Sequence, residues 1–169
     1  MAWLSDDDYR RVQRSVPIAC VDIAPLRLSP HGSIESIGLI LRDTPHQGRR
    51  WCLVGGRILR DESLAEAAAR HLRQTLGDAI RFTLAPDAQP AYVSQYFTSR
   101  REVGVIDPRQ HSIAVNYLIA VDGLVTPMGE AHEFRWFDAS ALPGPDEFGF
   151  EQDRVLAECL RAAGPRVRT

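Results

Sequence analysis

The residues with the greatest capacity for chemistry cluster in GGRILRDESLAEAAARHLRQTLG, residues 55–77. Gly56 is followed by five residues and Glu62, then by seven residues and Arg70, and the run ends at Gly77. A carboxylate and a guanidinium at this spacing are read first as an ion pair pinning a loop to a helix, and only second as a catalytic pair. His71 is read as an exposed helical histidine in preference to a metal ligand. His132, flanked by Glu130 and Glu133, is the leading general-base candidate, because an imidazole near neutrality suits proton abstraction from water. All 20 basic residues are Arg and none is Lys, so any phosphate contact must come from Arg, backbone N–H groups or a metal. Arg100, Arg101 and Arg109 could clamp phosphates, and a solvated loop explains them equally well. His31, His46 and His111 fall in turns and loops without metal-ligand spacing and are expected in solvent. Tyr92, Tyr96 and Phe97 lie along a strand, where core packing is favoured over stacking on a base.

The elements that must position these groups follow from pattern. Ser63 and Glu66 have capping-box spacing and Gly77 suits a helix end, which predicts a helix over 63–76 with Leu64, Ala68, Leu72 and Leu76 as its stripe. Ser5 before three aspartates opens a short helix to about Arg14, ended by Pro17. Strands are expected over 17–28, with Ile18, Cys20 and Asp22 on one face, and over 33–41. A polar loop, 43–49, then leads to a short apolar run at 51–54. Further strands are expected near 79–84, 90–97, 112–121 and 133–137, and a closing helix over 150–163. The 98–111 segment is long for a connection. Strands before, between and after one strong helix indicate an α/β (α+β) architecture, a mixed sheet packed by helices, in a single domain over residues 1–169 with a helical arm at 1–16.

Composition excludes several classes. At 169 residues the chain has the length of one domain, and 44% hydrophobic with 25% charged residues is ordinary for a globular protein. A net charge of -2 argues against a dedicated nucleic-acid binder. No apolar run is long enough for a bilayer, and the acidic start MAWLSDDDYRR has no signal core, so a cytoplasmic protein without a membrane partner is expected. Cys20, Cys52 and Cys159 form no C-x-x-C pair and read as buried reduced thiols.

The Gly56, Glu62, Arg70 and Gly77 spacing, set in a strand–loop–helix, resembles the box of the Nudix hydrolase family. That box presents glutamates one, four and five positions after its arginine on one helical face, where they hold Mg²⁺ beside a diphosphate. Here those positions carry His71, Gln74 and Thr75, and no carboxylate follows Glu66 in the helix. The opening LSDDDYRRVQRSVPIACVDI, the stretch from Gln47-Gly48 to Arg70 and HEFRWFDASAL look like the GDP-mannose mannosyl hydrolase branch, which attacks sugar carbon rather than phosphorus. That resemblance implies a nucleoside diphosphate linked to a sugar or similar group as small-molecule substrate. It implies Gly55 carbonyl and Glu130 as metal ligands, with Mg²⁺ weak, substrate-dependent or absent because Thr75 stands where a ligand Glu would be. Arg57 and Arg70 would lie near the diphosphate, and Asp22, Arg42 and Tyr117 at nucleotide- or sugar-contacting positions. The same anchor makes Glu130, His132 and Arg70 the catalytic set. It also implies a homodimer through the N-terminal region, where Trp3, Leu4 and Val12 are apolar. The alternative reading is a catalytically inactive nucleotide-binding sensor with the same fold.

Overall fold

A computed structural model describes residues 4–164. Ser5 caps α1 (Asp6–Ser15), its hydroxyl accepting from Asp8 N, and three aspartates fill the first turn where the helix dipole favours them. Nine strands follow: β1 (Ile18–Leu28), β2 (Ile34–Thr44), β3 (Gly48–Cys52), β4 (Val54–Arg57), β5 (Ile80–Phe82), β6 (Tyr92–Phe97), β7 (Val105–Ile106), β8 (Ser112–Gly123) and β9 (Glu133–Asp138). Between β4 and β5 runs α2 (Leu64–Leu76), and α3 (Gln152–Ala163) closes the described chain. The strand order is β3-β2-β1-β8-β6-β7, with β4 on β1, β5 on β8 and β9 on β2. The α+β architecture with a mixed, curled sheet is therefore as the sequence predicts. No helix among the described residues is long and apolar enough to cross a membrane.

The central pair is β1 and β8, parallel from Ile18↔Ser112 to Leu26↔Ala120. Being covered on both faces, β1 is buried almost without interruption from Cys20 to Leu26 rather than alternating. Its other edge changes partner. Residues 20–23 pair with β4 and residues 26–28 with β2, so β2 and β4 diverge from one strand and leave a cleft between them. The helix α2 packs on β4 and β1, while α3 packs on β6, β7 and β8.

Several local expectations are corrected. The predicted polar loop at 43–49 is a tight hairpin: β2 runs to Thr44 and β3 starts at Gly48, whose φ of 69° closes the turn. Thr44 Oγ1 holds it, donating to Gly48 O and accepting from Gln47 N. The apolar run 51–54 spans two strands, broken at Leu53. In α2, Leu64 sits at the first turn beyond the sheet and is exposed, and Ala67 and Thr75 are buried in addition to Ala68, Leu72 and Leu76. The long 98–111 segment contains β7, parallel to β6. The last helix starts at Gln152 because Phe150 and Glu151 adopt left-handed φ values of 58° and 55°. Trp3 lies outside the described residues, Leu4 is exposed, and Val12 packs inward against the core rather than on an outer apolar face. All three cysteines are buried free thiols, each pushed up to about 12 chiefly by burial.

Candidate functional site

The divergence of β2 and β4 opens a cavity of about 510 Å³. Its floor is β1, which offers Cys20 and Asp22, and its walls include Arg42 from β2, Gly55 to Arg57 from β4 and the Arg70 to Thr75 face of α2. Glu130 and Arg109 stand on loops at its rim, and α1 covers one side with Tyr9 and Gln13. Six of the seven residues that sequence reasoning assigned to ligand or metal therefore meet here: Asp22, Arg42, Gly55, Arg57, Arg70 and Glu130.

Backbone packing brings β4 this close. A Cβ on Gly55 would lie 2.3 Å from Val21 O, and one on Gly56 would lie 2.7 Å from His71 Cε1, so both positions exclude a side chain. Arg70 then ties the loop to the helix. Its Nε donates to Glu62 Oε1 at 2.7 Å, and its Nη2 donates to Glu62 Oε2 at 2.7 Å and to Arg57 O at 3.0 Å. The Glu62 carboxyl is held below its ordinary range, first by this hydrogen-bonded pair. Glu62 also accepts from Leu59 N, fixing the loop's shape. Arg70 is thus a brace, its donors turned to Glu62, the β4 backbone and Gln74 Oε1. Arg57 stacks on Tyr9 with its guanidinium carbon 4.0 Å from the ring centroid, which joins α1 to the cavity wall.

Asp22 is buried, and loss of solvation raises its carboxyl to about 6 despite the hydrogen bond it accepts from Tyr96 and the field of Arg42. Tyr96 Oη donates to Asp22 Oδ2 at 3.0 Å and accepts from Gln152 Nε2 at 3.2 Å, while Gln152 Oε1 accepts from Leu53 N. At the rim, Arg42 Nη1 donates to Glu130 Oε1 at 2.8 Å, and partial desolvation pushes the Glu130 carboxyl up against the pull of Arg42 and Arg109. Arg42 Nε is buried without a partner. Arg109 makes a two-point contact with buried Asp107 and lies over Phe150, which Arg42 also approaches.

Two assigned residues lie elsewhere. Tyr117 is one position out of phase with Ser112 and Ala114, the β8 residues that line the cavity, so it points to the opposite face and its hydroxyl reaches Ala88 O at 3.4 Å. His132 pairs with Asp43, Nε2 to Oδ2 at 2.7 Å, on the outer side of β2, and does not line the cavity. Arg42 and Asp43 are neighbours on β2 and point to opposite faces, so His132 follows its partner Asp43 outward while Glu130 turns inward to Arg42. Two other histidines depart from the solvent-exposed expectation. His71 is half-buried on the cavity wall, and His111 stacks on Phe97 with centroids 4.9 Å apart and its Nε2 buried. His31 and His46 are exposed as expected, and Arg100 pairs with Glu151 away from the cavity.

Sequence reasoning left Arg109 open between a phosphate clamp and a solvated loop, and the structure puts it at the cavity; it missed Tyr9, Gln13 and Gln152 entirely. The arginines of 98–111 were a signal for Arg109. Nothing in the sequence marks α1 as a wall, because its contacts run through Gln110, whose Oε1 accepts from both Tyr9 and Gln13.

The donors do not fit a ready-made divalent-ion site. No group of three or more His, Cys, Asp or Glu that could hold a metal occurs among the described residues. Each carboxylate near the box is already engaged, Glu62 by Arg70, Glu66 by Ser63, Asp22 by Tyr96 and Glu130 by Arg42.

A family described as "Domain of unknown function (DUF4916)" matches residues 1–162. The chain belongs to the DUF4916 family. No curated protein matches it. Among solved structures, this DUF4916 chain is similar to a protein of Jonesia denitrificans DSM 20603 described as a possible asymmetric diadenosine tetraphosphate (Ap4A) hydrolase. The two are 27% identical with a TM-score of 0.82, over 89% of this chain and 96% of that one. It is also similar to a MutT Nudix hydrolase of Burkholderia pseudomallei, at 20% identity, TM-score 0.64 and coverage of 85% and 98%. The Nudix domain of Shewanella oneidensis NrtR, solved with ADP ribose, matches at 15% identity and TM-score 0.60, covering 94% and 98%. The DUF4916 chain therefore has the Nudix fold.

Proposed function

We propose that the chain is a Nudix-type hydrolase of a nucleoside diphosphate linked to a sugar or similar group, acting as a homodimer on a small molecule. The observation that carries this reading is the convergence of Arg42, Arg57 and Arg70 with the Gly55-Gly56 backbone on one cavity above Asp22. Guanidinium groups beside close-approach glycines suit a diphosphate, and a chain without Lys has no other cationic side chain for the purpose. The described ADP-ribose complex and the Ap4A description of two fold relatives support the same ligand class. Arg57 would face the diphosphate, Arg70 would hold the Arg57 backbone in place, and Arg42 with Asp22 would contact the nucleoside or sugar end. Water would attack the sugar carbon, and the nucleoside diphosphate would leave with the bonding electrons. Any Mg²⁺ would have to be completed by the substrate's own phosphates, and no step above depends on it.

A sensor that binds without hydrolysis is the second reading, favoured by the engagement of every cavity carboxylate with a partner of its own. Thermal shift with ADP-ribose, GDP-mannose and Ap4A, each with and without Mg²⁺, followed by product analysis in ¹⁸O-water, separates the two. Stabilisation with turnover, and label in the sugar, is the expected result. Stabilisation without turnover selects the sensor, and no stabilisation by any of the three overturns the ligand class. Calorimetric titration of Mg²⁺ alone is expected to give roughly millimolar or weaker binding, as the donor set lacks paired carboxylates.

A further inference from the structure

After Glu66 the helix α2 carries no carboxylate, and His132 is on the outer side of β2, which leaves the attacking water without an assigned proton acceptor. Among the described residues, His71 is the only histidine on the cavity wall. Its Nε2 lies 3.0 Å from Arg57 O, which also accepts from Arg70 Nη2. A carbonyl oxygen only accepts, so Nε2 carries the ring proton and Nδ1 carries the lone pair. Among the described residues Nδ1 makes no hydrogen bond, and it is not one of the fully buried unpaired atoms. The ring is wedged over Gly56, where a Cβ would come within 2.7 Å of Cε1, and this fixes its position beside the glycine pair.

We propose that His71 is a catalytic residue, the general base whose Nδ1 takes the proton of the attacking water. The inference rests on the hydrolase reading above and deepens it. As the water oxygen bonds to the electrophilic centre, its proton passes to Nδ1. The bond from that centre to the diphosphate oxygen breaks, and the nucleoside diphosphate leaves with the electron pair. The imidazolium then returns its proton to solvent, so no further reactant is required. The groups facing the ring favour a neutral base at rest. Burial lowers the His71 pKa below the usual imidazole range, and the charges of Arg70 on the same helix and Arg57 on β4 push the same way, while the hydrogen bond to Arg57 O and the Glu62 carboxylate in the loop oppose them without reversing the shift. His71 differs in this from Arg70: the arginine is a brace with its donors engaged, whereas the histidine keeps one ring nitrogen without a hydrogen bond.

The test is His71→Gln, whose amide can still donate to Arg57 O but has no basic nitrogen, compared with Asp22→Asn. For the substrate that wild type hydrolyses, His71→Gln is expected to lower kcat about 100-fold or more with KM and melting temperature little changed. Added imidazole is expected to restore part of the rate in His71→Ala. In wild type the acidic limb of the kcat profile should lie below the ordinary histidine value, and His71→Gln should remove that limb. Full kcat in His71→Gln, or a loss that follows the melting temperature in both His71 variants, overturns the proposal, and a loss confined to Asp22→Asn transfers the role to Asp22. Wild type inactive on every compound overturns the hydrolase reading and this role with it. A measurement independent of turnover is the ¹⁵N NMR tautomer of His71 at pH 8. Protonated Nε2 with bare Nδ1 is expected, and the reverse tautomer overturns the proposal whatever the activity.

Discussion

A single carboxyl at the bottom of the cavity stores free energy that pH should release. The Asp22 carboxyl is ordinary in the unfolded chain, near 3.8, and stands at about 6 in the folded one. Because the folded value is the higher, the stabilising contribution is complete below about pH 3.8 and is lost as pH rises through about 6. Two pKa units correspond to about 3 kcal/mol, so ionised Asp22 opposes folding at neutral pH by an amount of that order. Asp22→Asn keeps an acceptor for the Tyr96 hydroxyl and removes the charge. Urea denaturation should show it more stable than wild type by up to about 3 kcal/mol at pH 8, with the gain shrinking towards zero near pH 4. A constant difference across that range would mean that the carboxyl is not desolvated in the native state. A protein that keeps such a group without neutralising it has it where ligand charge can reach it, and Asp22 faces the same space as Arg42 and Glu130.

The loop and helix that follow β4 act as one element. Ser63 and Glu66 form a reciprocal capping box at the helix start, and the Glu62–Arg70 pair clamps the preceding loop to the second turn. The pair is mostly shielded, with 12% of the Glu62 and 22% of the Arg70 side chain exposed, so removing one charge leaves the other short of solvent. Glu62→Gln should therefore cost about 1 to 3 kcal/mol and lower the melting temperature by several degrees. It should also loosen the Arg57 carbonyl that Arg70 and His71 share. An unchanged melting curve would mean that the clamp is screened as an ordinary surface pair is. This element was legible beforehand because its signals are local: a cap, a charge pair eight residues apart and a terminal glycine. The Thr44–Gly48 hairpin was not, because polar and Arg-rich strands at a sheet edge read as loop when only hydropathy is considered.

At the scale of the molecule, the N-terminal helix gains its place from the cavity rather than from a core of its own. It buries no residue completely and is held by Tyr9 over Arg57 and by Tyr9 and Gln13 on Gln110. Val12 turns inward, so the proposed homodimer would use the outward Leu4 and the charged face beside it. Sedimentation at micromolar concentration is expected to give twice the 18.9 kDa chain mass, and a species of 18.9 kDa would overturn the dimer.

The sequence alone determined the α+β class, the helix α2 and its ends, the Glu62–Arg70 pair, the buried thiols and the use of Arg in place of Lys for every basic residue. These rest on interactions between residues close in the chain, or on composition, and both are written in the linear order. Only the tertiary structure decided which of those groups share a cavity. It took Tyr117 out of the cavity, since one residue of phase on a strand turns a side chain to the opposite face, and His132 too, since its partner Asp43 is one residue out of phase with Arg42 on β2. It brought in Arg109, Tyr96 and Gln152, which reach the cavity from β6, α3 and the 98–111 segment. It also turned His71 from an exposed helical residue into a half-buried one, because β4 faces it with Gly56, which has no side chain to displace the imidazole. Contacts between segments far apart in the chain depend on how β1 divides its edge between β2 and β4, and no local pattern encodes that division.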